Sequence, residues 1–205
     1  MNALIPDRIV QSNMELIRDQ IGAILALELA NQKKFGDSDL STIQVWNSRF
    51  VPFDKTEMPS VNVNFLTGDL IDGDASQSTF MYQYTIDVHA SAKTTEGDRG
   101  DKLSVARMNK ILMICKYILD SNEYGTLGFP AQAKAIIGTV YVGQINIANP
   151  MGMDADSLVM GRLVFNVKAI ESEILSSNWA MIKGLDTQVK LDLTNKGYKY
   201  IVNLY

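Results

Sequence analysis

Pro59-Ser60-Val61-Asn62-Val63-Asn64-Phe65 and, after a turn-rich interval, Thr79-Phe80-Met81-Tyr82-Gln83-Tyr84-Thr85-Ile86-Asp87-Val88-His89-Ala90-Ser91-Ala92 decide the fold class. Both stretches alternate apolar and polar residues with period two. That is the pattern of a strand with one buried face. Val61, Val63 and Phe65 share a face in the first, and Tyr82, Tyr84, Ile86, Val88 and Ala90 share one in the second. Gln83, Thr85, Asp87 and His89 take the opposite face. The interval Gly68 to Ser78 is rich in Gly, Asp and Ser, so it reads as a long polar loop closing a β-hairpin.

Upstream, a helix is predicted from about Pro6 to Lys34. Val10, Met14, Ile17, Ile21 and Ile24 recur at steps of three and four, which places them on one stripe. Leu25, Leu27 and Leu29 widen that stripe, and Gly36 after Lys33 and Lys34 suits a helix stop. Ile43 to Phe53 reads as extended, and Pro52 and Pro59 bracket a loop. Downstream, Lys93 to Asp101 is a polar loop. A second helix runs from about Asp101 to Asp120, with Asp98 or Asp101 as its cap. Its apolar face is Met108, Ile111, Leu112, Cys115, Ile118 and Leu119. Ile136–Ala148 and Leu158–Ile170 are strand-like and pair most simply as an antiparallel hairpin. Gln188–Leu193, a turn at Asn195-Lys196-Gly197, and Tyr198–Tyr205 form a third hairpin. It must dock on its own domain or on a neighbour, because so short a piece buries little alone.

The fold class is therefore α+β: a mostly antiparallel sheet with two main helices packed on one face, plus a C-terminal β-hairpin extension. The domain organisation reads as residues 1–171 for the α+β domain and 172–205 for the extension.

Composition narrows function by exclusion. With 19 basic and 23 acidic residues the chain carries a net −4, and no basic stripe marks it as a nucleic-acid binder. The single cysteine, Cys115, rules out an intrachain disulfide and a multi-thiolate zinc site. No segment approaches the ~20 apolar residues of a membrane span. The start MNALIPDR lacks a basic region before an apolar run, so the chain reads as cytosolic when made. No strand–helix–strand unit opens on a Gly-rich turn, and no phosphate-binding loop is present.

Three places merit a chemical reading. His89 is the only histidine, so any histidine-based mechanism must use it; without a nucleophile motif it reads as a surface or loop-end residue. Cys115 on an apolar helix face reads as a small buried hydrophobe. Asp69, Asp72 and Asp74 surround Gly73 and suggest a Ca²⁺ or Mg²⁺ loop. Counted from Asp72, however, the twelfth position is Gln83 where a calcium loop needs Glu, so a solvated hairpin loop is the reading. No catalytic, cofactor or metal residue is assigned.

The order of these elements resembles the bacteriophage tail-terminator, or tail-completion, family. The resemblance covers roughly residues 7–171. It is carried by the long first helix, the Pro59–Phe65 strand, an acidic Gly-bearing loop, and a strand like Tyr84-Thr85-Ile86-Asp87-Val88-His89-Ala90. A helix like Ala106-Arg107-Met108-Asn109-Lys110-Ile111-Leu112 and a strand like Gly161-Arg162-Leu163-Val164-Phe165-Asn166-Val167 complete it. The resemblance implies a structural virion protein that forms a hexameric ring in the tail or neck, assembled in the host cytoplasm. The ring caps the tail tube, ends its polymerisation and joins the tail to the head connector. Its partners would be copies of itself, the tail tube protein and the connector or neck protein, with the sheath protein as a further partner. DNA would pass through the lumen without specific recognition, with no cofactor and no membrane. The alternatives are another connector or a tail-tube subunit, a small divalent-cation module, and a hydrolase using His89.

Overall fold

The computed structural model describes residues 12–73, 77–93, 100–129, 140–148, 157–172, 189–194 and 197–202. The first helix, α1, spans Asn13–Lys33. Ser12 is extended and its hydroxyl accepts the Glu15 amide, so it caps this helix, while the start predicted at Pro6 is not among the described residues. Residues 1–11 lie outside the described set. A short strand, β1 (Gln44–Asn47), follows. It is four residues long, because Ser48 takes a positive φ of 51° and turns the chain out of the sheet. The extended reading of Ile43–Phe53 is thus correct only at its start.

The next two strands, β2 (Ser60–Gly73) and β3 (Gln77–Ala92), correct the hairpin. Gly68–Gly73 is strand, not loop, and pairs with Ser78–Tyr82. Local turn chemistry is overridden by long-range pairing. The strand Ser157–Ser172 lies along the whole of β3, so the hairpin is a ribbon laid on a third strand. Register shifts after Phe65 and after Leu70 absorb the irregular residues. Gly68 serves a close approach rather than a turn: a Cβ there would stand 2.6 Å from the Tyr82 ring opposite.

The second helix, α2, spans Gly100–Leu119. Asp101 therefore lies inside its first turn, and Asp98 falls outside the described residues. Strands β4 (Val140–Ala148) and β5 (Ser157–Ser172) pair antiparallel, as the alternation predicts. The last two, β6 (Val189–Thr194) and β7 (Gly197–Val202), form the C-terminal hairpin. β7 pairs antiparallel with β1, so the hairpin docks in cis on its own sheet.

The result is one seven-stranded sheet in the order β4-β5-β3-β2-β1-β7-β6, antiparallel except where β1 runs parallel to β2. Both helices lie on one face, α1 over β1, β2 and β7, and α2 over β3 and β5. Ile17, Ile21, Ile24, Leu25 and Leu29 of α1 and Met108, Ile111, Leu112 and Cys115 of α2 are buried. They meet Val61, Val63, Tyr84, Ile86, Val88, Leu163, Phe165 and Val167 of the sheet. The Tyr84 hydroxyl donates to the Met14 carbonyl at 2.9 Å, tying the start of α1 to the centre of β3. No described helix is long and apolar enough to cross a membrane.

Candidate functional site

The face away from the helices holds an unexpected set of buried polar groups. Asn62, Thr85, Asp87 and Asn166 project from that face and are all nearly inaccessible to solvent. Burying them requires partners, since an unpaired buried polar group costs about 1–3 kcal/mol. Much of the cover is the strap 48–58, which leaves β1 and folds back across the sheet. The Ser48 amide donates to the Val63 carbonyl at 2.8 Å. Asn62 then extends the ladder with its side chain, accepting the Arg49 amide at 3.1 Å and donating to the Arg49 carbonyl at 2.8 Å.

Arg49 fastens the strap. Its side chain is fully buried, with the guanidinium 4.4 Å from the Trp46 ring centre and 4.1 Å from that of Phe53. It donates to the carbonyls of Val51 and Pro52 at 3.0 and 2.9 Å, and to Glu57 at 2.8 and 3.2 Å. Glu57 also accepts the Asp54 amide at 2.9 Å, closing the turn at the far end of the strap. Beside it, Asp87 on β3 and Arg162 on β5 stand opposite each other. They pair with two contacts of 2.6 and 2.8 Å.

A cleft of about 680 Å³ opens between the strap, β2 and β5. Arg49, Asp87, His89 and Arg162 lie in its wall, and Phe50, Val51 and Leu66 line its mouth. His89 is half-buried against the Phe53 ring, 4.7 Å between centres, and is not the surface or loop-end residue expected from sequence. Both Asp87 oxygens pair with Arg162, so Asp87 is not placed as the carboxylate that orients a catalytic imidazole. Cys115 sits in the core on the other side of the sheet, and burial pushes its thiol up to about 12. A Cys–His pair is therefore excluded. The charged groups of this cleft hold the strap and the strands together, and its mouth is apolar.

The expected acidic loop is also rearranged. Asp69 stands opposite Met81 and Asp72 opposite Thr79 on the ribbon, and Asp74 lies outside the described residues. Among the described residues no group of three or more His, Cys, Asp or Glu is placed to hold a metal ion.

No family model matches the chain, and no curated protein does. Its role must be read from its own surface. Large apolar side chains stand uncovered at three places on the strands and the strap. Leu66, Leu70 and Ile71 lie on the β2–β3 ribbon, Tyr141, Ile145 and Ile147 on the outer strand β4, and Phe50 and Val51 on the strap. Leu70 and Ile71 fall within Gly68–Ser78, which composition predicts as a polar loop; the turn residues around them mask the apolar pair. Arg49 and the Asp87–Arg162 pair carry no local signal, because their partners meet only through tertiary register.

One pH effect follows from His89. Burial lowers its pKa, with Arg162 and Arg49 adding to the depression and Asp87 opposing it. The unfolded chain binds the proton more readily, near its ordinary ~6.5. Stability from this group is thus full above about pH 7 and is lost as pH falls through ~6.5 toward the folded value. Urea midpoints at pH 7.5 and 5.5 should show this loss. His89→Gln should flatten the slope in that window, since the chain has no other histidine. An unchanged slope in the variant would assign the effect elsewhere.

Proposed function

We propose that this chain is a structural, self-assembling subunit that closes into a ring capping a phage tail tube, without a reaction of its own. The observation that carries this reading is the uncovered apolar surface on hydrogen-bonded strands. Leu70 is 61% exposed, Ile71 49%, Ile147 55% and Ile145 43%. Scattered apolar residues are ordinary on a protein surface, but adjacent ones on rigid elements mark interaction sites. The order of helices and paired strands, which resembles the tail-terminator family, gives the assembly its proposed place. A ring needs head-to-tail contacts between two unlike patches, with a rotation that closes. The ring would end tube polymerisation and join the tail to the head connector, and a lumen of net-acidic subunits would not retain DNA passing through it.

The test is the native mass of purified protein together with particle images by electron microscopy. Discrete closed rings are expected, of about six copies on the tail-terminator resemblance. Extended stacked tubes would move the assignment to a tube subunit. A chain that stays monomeric at high concentration would remove the assembly reading altogether.

A further inference from the structure

The helical layer carries an uncovered patch of its own, where the ends of α1 and α2 share a pocket. Phe35 is 78% exposed there and Tyr117 69%. The pocket, of about 420 Å³, lies between the two helix ends and the turn at Asn122–Tyr124. Ile114, Tyr117, Ile118 and Tyr124 wall it, and Glu28 and Glu123 supply its charge. The Tyr124 hydroxyl donates to Glu28. Burial raises the pKa of that hydroxyl most, and Glu28 and then Glu123 add to the rise, so both carboxylates bear on one place. Neither glutamate meets a cation among the described residues. The neighbouring Lys116 is held by Asp120 at 2.5 Å. Glu28 is half-buried, and charge taken from water calls for a partner.

Matching cations stand at the rim. Gln32 lines the pocket, and the chain continues as Lys33-Lys34-Phe35 before Gly36, at a φ of 81°, turns it away. Lys33, Lys34 and Phe35 are all exposed, and neither lysine meets a carboxylate among the described residues. The next acid, Asp37, is occupied by Lys110 at 2.8 Å. Lys33 cannot serve its own Glu28. It lies five positions further along α1, about 140° around the helix, where side chains do not face each other. A projection of two cations and an aromatic ring thus sits beside a pocket of two anions and aromatic walls that it does not fill.

We propose that this patch docks on itself across a two-fold axis. Lys33, Lys34 and Phe35 of each copy enter the pocket of the other, with the ammonium groups against Glu28 and Glu123 and the Phe35 ring against Tyr117. Projection and pocket belong to one patch, so the contact is isologous and ends at two copies. It is separate from the head-to-tail contacts of the proposed ring, and between such rings it joins two of them through their helical layers. The two Phe35 and two Tyr117 rings cover about 600–1,000 Å² when buried. That is the area of a weak pair, whose strength and salt dependence the charges set.

Sedimentation velocity on the full-length protein tests the contact, with circular dichroism and thermal melting confirming that each variant folds. The unaltered chain should pair at low salt, and ~1 M salt should weaken pairing by tenfold or more. Lys33→Glu with Lys34→Glu should weaken it at low salt by about tenfold or more, and Glu28→Gln with Glu123→Lys should do the same. Phe35→Ser should weaken it at both ionic strengths. Mixing the two charge variants should restore pairs of unlike copies, because each projection then meets a pocket of opposite sign. If the lysine variant pairs as tightly as the unaltered chain, or if the mixture stays unpaired, this contact is wrong. Single rings that do not pair would overturn it and leave the ring reading standing. Pairs without rings would support it and overturn the ring, and a monomer throughout removes both.

Discussion

Arg49→Ala is expected to destabilise the fold by about 3–5 kcal/mol, the cost of breaking a buried charge pair from one side. The arginine is fully buried, and its removal takes the cation from Glu57 and the side-chain donors from two carbonyls at once. Glu57 keeps 17% of its side chain in solvent, so the lower end of that range is the better expectation. The loss of packing between Trp46 and Phe53 acts in the same direction. For a chain of this length the melting point should fall by roughly 6–12 °C. Arg49→Lys should recover only part, because an ammonium cannot reproduce the planar fork that reaches Val51, Pro52 and Glu57 together. The local readout is specific: with the strap released, His89 should titrate closer to its ordinary value. An Arg49→Ala chain with an unaltered urea midpoint would show that the strap contributes nothing to stability.

Gly161→Val should destabilise by about 3 kcal/mol, through overpacking rather than a cavity. Gly161 lies on β5 opposite Val88 of β3 and Ile147 of β4, directly beneath α2. A Cβ there would come within 2.3 Å of the Met108 sulfur and 3.0 Å of a Leu112 methyl. Met108 is flexible, so Gly161→Ala should cost only about 1 kcal/mol as its side chain shifts. The branched valine cannot be accommodated without moving α2 off the sheet. Met108→Ala in the valine background should then be far less harmful than in the unaltered chain. A double-mutant coupling of about 1 kcal/mol or more is expected from equilibrium unfolding. Simple additivity would mean that the close approach of α2 to β5 is not what Gly161 secures.

The sequence by itself determined the class of the fold and much of its core. Period-two alternation in Thr79–Ala92 and Leu158–Ile170 fixed which side chains face inward, and α2 carries its apolar face at helical spacing. Both are local properties, because a strand or helix face must be buried whatever covers it. The tertiary structure alone decided what does the covering. The turn-rich Gly68–Gly73 became strand because its neighbour β3 is laddered along its full length by β5. Asp87 met Arg162, 75 residues away, through that same register, and Arg49 closed its strap by folding over residues that sequence placed on a solvated face. β1 took a parallel place beside β2 and gave β7 an edge, so the last hairpin packed in cis. Pairing between distant segments depends on the summed fit of whole strands, and no short window of sequence contains that sum.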